Sequence, residues 1–195
     1  MTQPTQHVRQ QTQDARPQAQ EATQQTQDAP QPTRDAVDRI TGQWTSVRPD
    51  VDVSPLHVVA RVSRLSRLID RRLAENFARH GLENWMYDVL ATLRRSGEPY
   101  QLTAGELLSQ SMVTTGAITN RIDRLEARGL VQRVPSQDRR KVVVRLTPSG
   151  LALVDDVVTT HLQTERDLLA CLPAPQRDYL ADLLRTLLLS LGDHE

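Results

Sequence analysis

Residues 133–146 read RVPSQDRRKVVVRL. Two β-branched runs, LVQRV at 130–134 and VVVRL at 142–146, flank a polar loop crowded with arginine. β-Branched residues fit a pleated strand, while Pro, Ser and Asp favour turns. The pattern predicts a hairpin with a basic tip. The 24 basic and 24 acidic residues of the 195-residue chain cancel, so the tip is not part of a general positive charge.

The balance hides an asymmetry. From Arg121 to Arg145 there are eight basic residues against three acids, a net +5. From Gly150 to Glu195 there are eight acids against three arginines, a net −5. One region can therefore meet a polyanion. Among the 24 basic residues only Lys141 is lysine. Arginine offers a rigid fork suited to phosphates and base edges, although a coding bias would also produce it.

Upstream of the hairpin the hydrophobic period changes to that of helices. TAGELLSQ (103–110) and TTGAITNRIDRLEARG (114–129) read as two helices after one another, the first opened by Thr103 and Glu106 at capping-box spacing. ENWMYDVLATLRRSG (83–97) forms another helix, stopped at Gly97. SPLHVVARVSRLSRLIDRRLAENFARHGL (54–82) starts at Ser-Pro and ends at Gly81. TRDAVDRITGQW (33–44) is a short helix ending near Trp44, with Val37, Ile40 and Trp44 at helical spacing. TPSG begins a long helix from about Pro148 into the 160s, and a leucine ladder fills a last helix over 174–191. Residues 1–33, rich in Gln, Thr and Pro, cannot bury enough to offset ordering entropy and read as a disordered tail.

Helix, turn, helix and a basic two-stranded hairpin form the order of a winged helix-turn-helix. In that arrangement the second helix enters the major groove and the wing lies along the backbone. The plain alternative is a solvated hairpin on a globular domain. At 100° per residue, Ile118, Ile122 and Leu125 form the core stripe of the second helix. Gly116, Thr119, Asn120, Asp123 and Ala127 lie opposite, with small or amide side chains suited to base edges. Arg124 and Arg128 flank that face and suit phosphates. With Thr115 at the helix start and Asp138, Arg139, Arg140 and Lys141 at the wing tip, these are the candidate DNA contacts.

Arg121 is placed differently. It flanks the core stripe by about 60°, so it points partly inward and needs an anion. Asp88 is the only charged residue between Asn84 and Leu93 and is a candidate partner, with local partners as the alternative for both.

The chain resembles the MarR family of dimeric winged-helix regulators from about Asp35 to the C-terminus. The resemblance is carried by DVLATL (88–93), by GAITNRIDRLEARGLVQRVPSQDRRKVVVRLTPSG (116–150), and by the DRR at 138–140 followed by a strand and LTPSG. It implies a mainly α fold with a small antiparallel β wing: a winged helix-turn-helix domain plus a helical dimerisation domain formed by the N- and C-terminal helices. The divisions expected are a tail (1–33), N-terminal helices for ligand pocket and dimerisation (34–82), the DNA-binding domain (83–149) and C-terminal dimerisation helices (150–195). A homodimer accounts for the ladder Leu180, Leu183, Leu184, Leu187, Leu188 and Leu191, too apolar for a monomer's surface.

Within the family the chain is similar to the urate-responsive branch, which has an extra N-terminal helix bearing a tryptophan. Trp44, Asp88 and Arg121, the last in the tripeptide Thr119-Asn120-Arg121, stand at the matching places. The resemblance implies a repressor of a palindromic operator in double-stranded DNA, released by a small anionic effector, urate or a related purine. The purine stacks near Trp44, meets Arg121 and repels Asp88; the recognition helix shifts and the half-site spacing is lost. Packing of the first helix is the plain alternative for Trp44. The tail is longer than the branch leads one to expect, and SQSMVTTG (109–116) has no position-by-position equivalent. Phenolic acids or a carboxylate such as citrate are the alternative effectors.

Other classes fit less well. There is no GxGxxG, P-loop or nucleophile elbow, so no catalytic residue or cofactor is expected. His7, His57, His80, His161 and His194 lack metal-ligand spacing, and His161 with Glu165 is one helical pair. A redox sensor would rest on Cys171, which reads as a buried packing residue at the end of an apolar run. A dimeric scaffold without DNA function leaves the +5 region unexplained. One cysteine, no N-terminal signal and apolar runs as short as LLRTLLLSL point to a cytoplasmic protein without a membrane span.

Overall fold

A computed structural model describes residues 33–110, 118–136 and 141–194. The chain divides into two compact units, 1–62 and 63–195. In the first, α1 (Ala36–Val47) opens with a reciprocal cap. Asp35 accepts from the Val37 and Asp38 backbone N–H groups at 2.7 and 3.0 Å, and Asp38 accepts from the Asp35 N–H at 2.9 Å. Both carboxylates sit below the ordinary aspartate range, first through these backbone bonds and then through the Arg61 guanidinium. Arg61 reaches Asp35 at 2.8 Å and Asp38 at 2.7 Å, so it ties α1 to α2 (Leu56–Arg79). α1 continues one turn beyond Trp44, because nothing in Thr45, Ser46 or Val47 breaks the helix; Thr45 and Ser46 bond their own i−4 carbonyls.

The second unit contains the rest of α2, then α3 (Asn84–Arg95), β1 (Gln101–Thr103), α4 (Ala104–Gln110), α5 (Ile118–Ala127), β2 (Val131–Val134), β3 (Val143–Leu146), α6 (Pro148–Leu168) and α7 (Ala174–Ser190). The capping box of Thr103 and Glu106 forms as its spacing predicts, at 2.8 and 3.2 Å. The sheet is antiparallel with order β1-β3-β2. β2 and β3 are the expected hairpin, with Arg133 opposite Val144 and Val131 opposite Leu146. β1 is an addition to the sequence reading. Three residues, Gln-Leu-Thr, are too few to show a period of two, and only their pairing with Val143, Val144 and Arg145 of β3 makes them a strand.

One core joins these elements. Leu90 and Leu93 of α3, Leu107 of α4, Ile122 and Leu125 of α5, Val131 and Val144 of the sheet, and Val154 and Val157 of α6 are buried. Ile118 is half-buried beside them, so the stripe read by angle on α5 is the face that packs. Cys171, expected to be buried, is exposed. It lies between α6 and α7, and α7 has no buried residue that would form a floor for it. Leu180, Leu183, Leu184, Leu187, Leu188 and Leu191 are likewise exposed.

The junction of α5, wing and α6 is closely packed. Gly129, at φ +67°, turns the end of α5 into β2, and the Leu130 N–H returns to the Leu125 carbonyl at 3.0 Å. Thr147 caps α6 by accepting from the Gly150 N–H at 3.0 Å and donates its hydroxyl to the Gly129 carbonyl at 2.7 Å. Ser149 donates to the same carbonyl at 2.9 Å. A Cβ on Gly150 would stand 1.9 Å from the Leu130 carbonyl oxygen, a backbone atom that has no rotamer to escape by. Gly150→Ala is therefore expected to destabilise the protein by about 1–3 kcal/mol, the usual cost of overpacking. Urea unfolding checks this; an unchanged midpoint would mean that the junction relaxes freely.

Candidate nucleic-acid interface

α5 presents Thr119, Asn120, Asp123 and Ala127 to solvent, the face expected to read bases. Thr115 and Gly116, and Asp138, Arg139 and Arg140 of the wing tip, lie outside the described residues. Lys141 is exposed two residues before β3.

The outward side of α5 is joined to the wing. Arg133 on β2 bridges Asp123 and Glu126, and its backbone N–H donates to Glu126 at 3.0 Å. The Asp123 carboxylate, and then Glu126, raise the guanidinium's affinity for its proton. Asp123, which sequence placed on the groove-facing side, is thus also the anchor of a wing arginine. Arg145 of β3 donates Nε–H to the Gln101 amide oxygen at 2.8 Å, tying β1 into the same sheet.

The other side of α5 faces the start of α3. Arg128 donates to the Gly81 carbonyl at 2.9 Å and meets the Met86 sulfur at 3.0 Å. Arg124 pairs with Glu83, and its Cζ lies 4.7 Å from the centroid of the Trp85 ring. Arg121 Cζ lies over the same ring at 5.6 Å. Trp85 donates its indole N–H to Glu83 at 2.8 Å. That bond first, and Arg124 second, hold the Glu83 carboxyl below its ordinary range.

Arg121 is half-buried, as its angle on α5 predicts. Its Nη1 is buried and meets no hydrogen-bond partner among the described residues. Asp88 is half-buried one turn after Trp85, on the same face of α3. Trp44 is on α1 of the first unit and is 49% exposed.

Sequence reasoning missed Trp85 and Glu83. A second tryptophan three residues before Asp88, with arginines three apart on the facing helix, is the available signal. It becomes legible only once α3 and α5 are known to face each other. A second missed group is the aromatic stack of Phe77 and Tyr87, with centroids 4.4 Å apart, beside His161. His161 is largely covered rather than solvated, with its Nε2 3.3 Å from Glu165. No group of three metal-ligating side chains occurs among the described residues, and none of the described helices is long and apolar enough to cross a membrane.

The MarR family profile matches residues 85–142, from the first turn of α3 to the residue before β3. The HTH-type transcriptional regulator PecS of Dickeya dadantii is 40% identical over 149 residues, 76% of this chain and 90% of PecS. A mutant MarR from E. coli complexed with operator DNA matches with a TM-score of 0.61 and 27% identity, over 71% of this chain and 99% of that one. Bordetella bronchiseptica BpsR, in a structure addressing regulation of its DNA binding by 6-hydroxynicotinic acid, matches with a TM-score of 0.60 and 26% identity, over 67% and 91%. A mostly helical chain with a three-stranded antiparallel wing sheet, aligned with PecS over nearly all of PecS's length, belongs to the MarR family of HTH-type transcriptional regulators.

Proposed function

We propose that the protein is a homodimeric repressor that leaves its palindromic operator when a small anionic effector binds, and that the effector is urate or a related purine. The observation that carries the effector reading is the buried Nη1 of Arg121, which meets no hydrogen-bond partner among the described residues. A buried cationic N–H without an acceptor is costly, and an anion supplies the acceptor. Arg121 sits on α5 itself, so an anion that draws it acts directly on the helix expected to read bases. Asp88 supplies the repelled carboxylate in this reading.

Thr115, Gly116, Thr119, Asn120 and Asp123 are the proposed groove-facing residues. Arg124, Arg128 and the wing tip Asp138–Lys141 are proposed to lie along the phosphate backbone. Dimerisation is assigned to the exposed leucines of α7, because an apolar edge of that length is unfavourable in water. The likeness to BpsR favours a second effector class, hydroxylated aromatic acids, which offer the same carboxylate or oxyanion to Arg121.

Titrating the protein with DNA from upstream of its own gene, at fixed salt, is expected to give a complex that urate dissociates. Arg121→Ala is expected still to form a complex with the duplex, with weaker discrimination between sequences, and to lose the urate response. Binding indifferent to urate but sensitive to 6-hydroxynicotinate would move the effector to the aromatic acids. Arg139→Ala with Arg140→Ala is expected to weaken binding to every duplex and to flatten the logarithmic salt slope by about 2; an unchanged slope would remove the wing from the interface. Leu184→Glu with Leu187→Glu is expected to halve the mass found by sedimentation, and wild-type protein that sediments as a monomer would refute the dimer.

A further inference from the structure

The apolar stripe of α5 fixes how deeply the helix sits but not its rotation. Burial of Ile122 and Leu125 is non-directional. Direction comes from groups with geometry of their own; at the α3 side Arg128 holds the Gly81 carbonyl, and Arg121 and Arg124 converge on one indole. Trp85 is half-buried against the core and has its N–H held by Glu83. The other oxygen of that carboxylate takes Arg124, so the ring and the arginine share one anion. The Arg124 and Arg121 guanidinium groups, one turn apart on α5, both lie over the ring. A planar cation over a fixed aromatic face restrains both distance and tilt.

We propose that Trp85, supported by Glu83, is a positioning residue for DNA recognition: its indole sets the rotation at which α5 presents Thr119, Asn120 and Asp123 to the groove. Trp85 itself makes no DNA contact in this role. It acts through Arg121 and Arg124, so its loss affects discrimination between sequences rather than general attraction to phosphate. The proposal rests on the DNA-binding reading and is independent of the effector's identity.

The test uses full-length Trp85→Leu and Trp85→Phe proteins, a duplex from upstream of the gene, and a scrambled duplex of equal length and composition. Trp85→Leu keeps apolar bulk without an aromatic face. It is expected to lower the ratio of the two affinities about tenfold while leaving the salt slope unchanged. Trp85→Phe retains a face for the guanidinium groups and is expected to restore most of that ratio. An undiminished ratio in Trp85→Leu overturns the proposal. So does a Trp85→Phe protein that loses the ratio as fully as Trp85→Leu, since that makes Trp85 a packing residue only.

A spectroscopic arm is independent of DNA. The chain has two tryptophans, so Trp44→Phe leaves Trp85 as the sole indole. Adding Arg124→Ala or Arg121→Ala to Trp44→Phe is expected to change Trp85 emission and its quenching by iodide. Emission indifferent to both arginines overturns the contact on which the proposal stands. Wild-type protein that binds neither duplex would refute the DNA reading, and this arm would still judge the contact.

Discussion

The Leu130 carbonyl and the backbone of Gly150 lie so close that no side chain fits between them. This constraint fixes three elements at once. α5 ends at Gly129, the wing starts at Val131, and α6 starts at Pro148, with the Thr147 and Ser149 hydroxyls fastening the last turn of one to the first turn of the other. α6 then carries Val154 and Val157 into the core against α3. The wing therefore cannot swing without disturbing α6. The LTPSG segment has a physical role at each polar position: a cap hydroxyl, a proline with no N–H to leave unmet, a second hydroxyl, and a glycine that permits the approach.

Around that junction α5 is gripped from two sides by charge. On one side Arg133 of the wing holds Asp123 and Glu126; on the other Glu83 and Trp85 hold Arg124. These pairs are largely open to solvent, so they are weak individually and screened by salt.

The local signals in the sequence were sufficient for most of the fold. The Thr103–Glu106 box, the glycines after α2, α3 and α5, the proline at the start of α6 and the stripe of Ile122 and Leu125 each act within one or two turns, which is the range over which a sequence pattern is readable. What was not legible depended on partners far apart in the chain. β1 exists because Leu102 meets Val144. The exposure of Cys171 follows from a last helix that buries nothing in its own chain. At the interface, the inward cant of Arg121 followed from helical angle, but its aromatic support follows from the docking of α3 on α5. The salt bridges of Asp123 and Arg124 likewise require the wing and α3 to be in place.

The uncovered leucine edge of α7 has a thermodynamic consequence. A helix of 17 residues is marginal in water unless its apolar face is covered. In the proposed dimer that cover is another copy of the chain, so mass action enters the stability of the helix itself. Dilution then acts as heating does, melting α7 and separating subunits in one step. The far-UV helix signal of the free protein becomes a function of its concentration, and the number of molecules in a cell sets how much of each is folded.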